Sequence, residues 1–87
     1  MPYKIVIPNP AKKDIGRLDP PVQQAAREAI RGLKDEPRPV GYGTLRGEAG
    51  YRIKFLNDYR IVYDIDDATQ TVTILKVRHR SLVYKRR

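Results

Sequence analysis

The stretch Tyr51-Arg52-Ile53-Lys54-Phe55-Leu56-Asn57-Asp58-Tyr59-Arg60-Ile61-Val62-Tyr63-Asp64-Ile65 consists of two alternating runs joined by a turn pair. Tyr51, Ile53 and Phe55 fall on one parity, with Arg52, Lys54 and Leu56 on the other. Beyond Asn57-Asp58, Tyr59, Ile61, Tyr63 and Ile65 alternate with Arg60, Val62 and Asp64. A period of two in β-branched and aromatic residues predicts half-buried strands, and the Asn-Asp pair predicts a tight hairpin. The hairpin needs a third strand and a helical cover to be stable.

Both are legible on either side. Downstream, a looser turn over 66–70 leads to a third alternating run, Thr71–His79. Upstream, Val22, Ala25, Ala26, Ala29, Ile30 and Leu33 recur at helical spacing after the start signal Asp19-Pro20. A shorter helix before it carries Ala11, Ile15 and Leu18 on one face, with Asn9 as its expected N-cap and Pro10 at the first helical position. Tyr3 to Ile7 reads as an opening strand stopped by Pro8-Asn9-Pro10. Residues 36–50, with two prolines and four glycines, form a connector in which Leu45 is placed for a brief strand contact. The tail from Ser81 is too short to assign. The expectation is an α+β fold over residues 1–87 as one domain: strand, helix hairpin, then three antiparallel strands, giving a four-stranded sheet with helices on one face.

Composition narrows the function. With no cysteine there is no thiol nucleophile or thiolate metal site, and a lone histidine, His79, argues against a dedicated zinc centre. No run of about 18 apolar residues is present, so no helical membrane span is expected, and the N-terminus lacks a signal-peptide core; a soluble cytoplasmic protein is expected. The net charge is +8. Residues 1–36 hold seven Lys/Arg against five Asp/Glu, a balance of +2. Residues 37–87 hold eleven against five, a balance of +6. A polyanion is the natural partner of the second half.

Strand parity says where that charge goes. If the large apolar sets face the helices, Arg52, Lys54, Arg60, Lys76 and Arg78 converge on the other face against one carboxylate, Asp64. Like charges so placed repel one another, and a phosphate backbone relieves them. A merely solvated sheet face would mix both signs. By the same parity Val62, Val72, Ile74 and Leu56 share the cationic face, an apolar strip that the tail or a partner must cover.

These residues also resemble a known family. The order of elements, together with Thr44-Leu45-Arg46-Gly47, Tyr51-Arg52-Ile53-Lys54, Tyr59-Arg60-Ile61-Val62-Tyr63 and Val77-Arg78-His79-Arg80-Ser81-Leu82-Val83-Tyr84, is similar to the RelE toxins of the RelE/ParE superfamily. The match spans nearly the whole chain. The resemblance implies a toxin that cleaves mRNA in the ribosomal A site without metal or cofactor, the ribose 2′-OH attacking the adjacent phosphate to leave a 2′,3′-cyclic phosphate. It makes Lys54 the general base and Arg78 the general acid. Arg52 and Arg60 become phosphate holders and Tyr84 a base-stacking residue. Lys76, Arg80, His79 and Arg46 complete the expected RNA contacts. It further implies a RelB-like antitoxin, and operator DNA bound through the antitoxin complex.

Chemistry agrees with the carry-over in part. In-line attack at phosphate is helped most by fixed positive charge, which clustered guanidinium groups supply. Arginine holds its proton too strongly to be a natural acid, so electrostatic stabilisation is an alternative role for Arg78. Arg80 competes with Arg78 for the same match. His79 has the opposite parity, and a bulge near the strand end would turn it toward the cations. Tyr84 has a second reading as a core aromatic. Two other functions fit the fold: a ParE-like toxin that binds and inhibits DNA gyrase, and a non-catalytic RNA-binding module. The joint presence of Lys54, Arg60, Arg78 and Tyr84 favours the ribonuclease over the first. Against the second, a set of aromatics, Tyr51, Phe55, Tyr59 and Tyr63, takes the helix-facing parity, and the long helix turns only Arg27 and Arg31 outward as basic residues.

Overall fold

The sheet is a mixed one in the order β1-β5-β4-β3-β2, built from β1 (Lys4–Val6), β2 (Gly43–Thr44), β3 (Tyr51–Phe55), β4 (Tyr59–Asp66) and β5 (Thr71–His79). The computed structural model describes residues 2–45 and 50–83, the side chain of Val83 excepted. β1 runs parallel to β5, and the remaining pairs are antiparallel. α1 (Asn9–Gly16) and α2 (Pro20–Asp35) pack on one face, and a single turn, α3 (Arg80–Val83), follows β5. The expected four strands are present; the fifth, β2, is a two-residue contact inside the connector, at Gly43–Thr44 rather than at Leu45.

Local starts and turns differ in detail from the sequence pattern. Asn9 is the first helical residue and Pro8 the cap, so Asn9 makes no capping bond; Asp19 occupies the cap of α2, also without a side-chain bond. Between the helices, the Gln23 amide nitrogen donates to the Ile15 carbonyl at 2.9 Å. The β3–β4 turn has three residues, not two: Phe55 faces Tyr59, and Leu56 and Asn57 both take positive φ, at 49° and 62°.

A larger difference lies in β5. From Tyr59/His79 to Val62/Lys76 the pairing with β4 is regular; then Tyr63 pairs with Ile74, leaving Leu75 as an extra residue. Such a bulge exchanges the two faces for everything beyond it. Val72 and Ile74, expected beside the cations, are therefore fully buried in the core, and Leu75, expected in the core, is exposed. The core gathers Ala11 and Ile15 from α1, Ala26, Ile30 and Leu33 from α2, and Ile53, Phe55, Ile61, Tyr63, Val72, Ile74 and Val77 from the sheet. Full burial of each large aliphatic side chain here contributes on the order of 1.5–3 kcal/mol. No helix among the described residues is long and apolar enough to cross a membrane.

The connector is fastened by polar contacts that the sequence pattern did not suggest. Buried Tyr63 donates its hydroxyl to the Pro37 carbonyl at 2.7 Å, and burial pushes its phenol up to about 12. Arg38 binds Asp67 in the β4–β5 turn at 2.9 Å, donates to the Tyr51 hydroxyl at 3.2 Å and lies over the Tyr51 ring. Tyr3 also donates to Asp67, at 2.7 Å. The Arg38 guanidinium, then the Tyr3 hydroxyl, hold the Asp67 carboxyl below its ordinary value. A lowered folded value means that Asp67 contributes its stability above the usual carboxylate range and loses it as pH falls through the lowered value. Asp67 is largely solvent-exposed, so the effect is local. Amide exchange across 37–42 should accelerate as pH drops below about 4, after correction for intrinsic exchange, and Asp67→Asn should show that faster exchange already at neutral pH. Equal protection in both proteins at pH 7 means that Asp67 does not fasten the connector.

Candidate nucleic-acid interface

Two cross-strand rows make the face opposite the helices. One is Lys54–Arg60–Arg78, adjacent residues on β3, β4 and β5; the other is Arg52–Val62–Lys76, one step along the strands. Neighbouring strands lie about 4.8 Å apart, so each row spans roughly 10 Å, close to the reach of one nucleotide and its phosphate. The five cations thus share a face, as parity required, because the bulge lies beyond both rows. The apolar strip expected with them shrinks to Val62, buried between its two charged neighbours in the row, and Leu56, exposed at the hairpin tip.

Each cation is held differently. Lys54 is exposed at the free end of its row. Arg60 folds back on the hairpin turn, its Nη1 donating to the carbonyls of Asn57 at 2.8 Å and Tyr59 at 3.0 Å. Arg78 donates from Nε to the Asp14 carboxylate at 3.0 Å. Arg52 is half-buried and extends across the sheet edge: a Cβ placed on its register partner Gly43 would sit 3.0 Å from Cζ and 3.1 Å from Nη1 of Arg52. Lys76 is exposed.

The remaining candidates lie apart from the rows or outside the described residues. His79 keeps the helix-facing parity beside Tyr59, whose ring meets it edge-on at 5.4 Å, and its Nδ1 accepts the Ser81 N–H at 3.2 Å as a cap on α3. The bulge falls four residues earlier and does not turn His79 toward the cations. Arg80 has left the strand: its N–H donates to the Asp58 carbonyl at 2.7 Å, and its guanidinium lies 3.8 Å from the Asp58 carboxylate. Arg78, not Arg80, is therefore in register with Arg60. Tyr84 and Arg46 lie outside the described residues. No group of three or more His, Cys, Asp or Glu side chains placed to hold a metal occurs among the described residues.

Two residues that sequence reading missed contact side chains of this face, Gly43 from β2 and Asp14 from α1. Only the pairing of β2 with β3 brings Gly43 under Arg52, and no sequence signal marks it. Asp14 had a signal: Ala11, Asp14, Ile15 and Leu18 stand at i, i+3, i+4 and i+7, so a carboxylate interrupts the buried stripe of α1. Its side chain is only 4% exposed.

The profile of the ParE toxins of type II toxin–antitoxin systems (parDE) matches residues 5–84. Toxin RelG of Mycobacterium tuberculosis is 38% identical over 87 residues, covering 99% of this chain and 100% of the relative. Toxin RelE of the same organism is 32% identical over 85 residues, covering 97% of this chain and 88% of the relative. Among solved structures, the toxin–antitoxin complex RelBE2 from M. tuberculosis superposes with a TM-score of 0.81 at 34% identity, covering 92% of this chain and 100% of that one. The RelE–RelB complex from Pyrococcus horikoshii gives 0.78 at 27% identity, covering 92% and 97%.

Because the far end of a flexible arginine yields more easily than backbone, Gly43→Ala should leave the melting temperature nearly unchanged while displacing the Arg52 guanidinium. A shift of the Arg52 side-chain resonance with an intact amide spectrum is the expected result; an unmoved resonance means that the contact does not place Arg52.

Proposed function

The chain belongs to the ParE toxin family of type II toxin–antitoxin systems and is a toxin of the RelE type, and from that premise we propose that it is a metal-independent endoribonuclease that cuts mRNA in the ribosomal A site. The observation that supports this reading above the others is the register Lys54–Arg60–Arg78, a base candidate and two guanidinium groups in one row, with Arg52 in the next. A gyrase-binding toxin has no need of that row.

The chemistry follows from the residues. Lys54, as the general base, takes the proton of a ribose 2′-OH; O2′ attacks phosphorus in line; the P–O5′ bond breaks. The products are a 2′,3′-cyclic phosphate and a 5′-hydroxyl, whose proton comes from Arg78 or from solvent. Arg60 and Arg52 offer planar donor forks to the non-bridging oxygens as charge develops. Retention of a fixed proton by guanidinium favours a stabilising role for Arg78 over a donating one. Translation would stop in the cytoplasm, where mRNA and ribosomes are.

Silencing falls to a RelB-like antitoxin, the kind of partner found in the RelBE2 and RelE–RelB complexes. Away from the cationic face, a groove of about 270 Å³ is lined by Ile5, Ile7 and Ile30 beside Arg27, Arg31 and Lys34. An acidic segment with an apolar stripe suits both this groove and the cationic face.

Lys54→Ala, Arg60→Ala and Arg78→Ala should each slow cleavage by about 10²-fold or more with unchanged circular dichroism, and wild-type cleavage on ribosomes should survive added chelator as long as enough magnesium remains to keep the ribosomes assembled. Primer extension in a translation extract reads the cuts; full activity of a folded Lys54→Ala protein excludes it as base. Intact mRNA alongside blocked gyrase supercoiling would transfer the chain to the gyrase-binding class. The double variant Arg27→Glu/Arg31→Glu should weaken antitoxin binding by at least tenfold, on the order of 1.4 kcal/mol, in calorimetry. An unchanged affinity places the antitoxin elsewhere.

A further inference from the structure

Asp14 is the sole buried charged residue among the described residues, and it lies on α1, the helix packed against β5. β1 ends at Val6, opposite Thr73, so the edge of β5 beyond it has no strand to pair with. Asp14 takes that place: Oδ2 accepts the Val77 backbone N–H at 3.1 Å and the Arg78 Nε–H at 3.0 Å. Oδ1 lies 3.8 Å from the largely exposed Arg17. One carboxylate oxygen thus binds both the backbone just before Arg78 and the Arg78 side chain.

We propose that Asp14 is the positioning residue for Arg78, fixing its guanidinium so that the terminal amino groups are presented to the scissile phosphate. The inference deepens the ribonuclease reading and rests on it. Three features carry it. The bond is made from Nε, which leaves both terminal NH2 groups of the fork without a partner among the described residues. Arg78 stands in register with Arg60 and Lys54, whose like charges would drive an untethered side chain outward. Because the carboxylate is buried and also holds backbone, it cannot follow the arginine into solvent; the anchor is rigid. A guanidinium fixed at one edge has lost most of its rotamer freedom before RNA arrives, so binding a phosphate orders less.

Asp14→Asn tests this with little change of shape, since the amide oxygen still accepts the Val77 N–H while the charge that holds the guanidinium is gone. Three readouts separate the outcomes. By NMR, the Arg78 Nε–H should exchange slowly in the wild type and rapidly in the variant, with the backbone spectrum and melting temperature largely retained. Cleavage should fall between about tenfold and about 10²-fold in kcat. In the Arg78→Ala background the substitution should cost nothing further, whereas with Lys54→Ala its cost should persist. The third readout is affinity for an RNA with a 2′-deoxy residue at the cut site, which needs no catalysis: Asp14→Asn should weaken it in the wild type and not in Arg78→Ala. If the wild type leaves mRNA intact yet shows this binding pattern, the ribonuclease reading fails and Asp14 still positions a phosphate contact. Equal losses with and without Arg78 would overturn the inference, making Asp14 a structural cap of β5 only. Should Asp14→Asn fail to fold, Asp14→Glu, which keeps the charge one methylene farther out, should fold and show an intermediate loss; full activity there overturns the proposal too.

Discussion

β5 holds one residue more than the strand it pairs with, and much of the molecule follows from where that residue sits. With Leu75 set aside, Val72, Ile74 and Val77 all reach the helix side, and Lys76 and Arg78 reach the other. Without the bulge, two of the fully buried side chains would lie among cations and the core would lose them. Regular pairing between Tyr59/His79 and Val62/Lys76 then aligns three strands so that their charges share a face. A single backbone irregularity thus reconciles a closed core with a crowded cationic surface.

Two guanidinium groups of that surface, Arg60 and Arg78, are held by backbone carbonyls and by one buried carboxylate. Arg60 is tied to carbonyls of the hairpin turn, Arg52 lies over a glycine, and Arg78 is tied to Asp14. The carbonyl contacts restrain Arg60 without setting a formal negative charge against it.

The two sides of the sheet divide the labour of a toxin that must be both active and controllable. The cationic rows suit a polyanion. The helix side, with its groove between apolar residues and Arg27, Arg31 and Lys34, suits a protein segment of opposite charge. A partner that engages both can silence the protein while binding far more tightly than contacts at one side alone would allow.

The amino-acid sequence by itself determined the strands, the paired helices and the list of cations, because period two and period 3.6 are local properties of the chain. Family motifs at Tyr51–Lys54, Tyr59–Tyr63 and Val77–Tyr84 are local too, and so was the carboxylate interrupting the apolar stripe of α1. The faces of Val72, Ile74 and Leu75 were decided only by tertiary structure, since a bulge arises from matching two strands and leaves no mark in the alternation of one. The same holds for the choice of Arg78 over Arg80 as the partner of Arg60, for Gly43 beneath Arg52, and for the joining of Arg38, Asp67 and Tyr3. Each of these is a contact between residues far apart in the chain, and such contacts exist only once the sheet has set the distance between them.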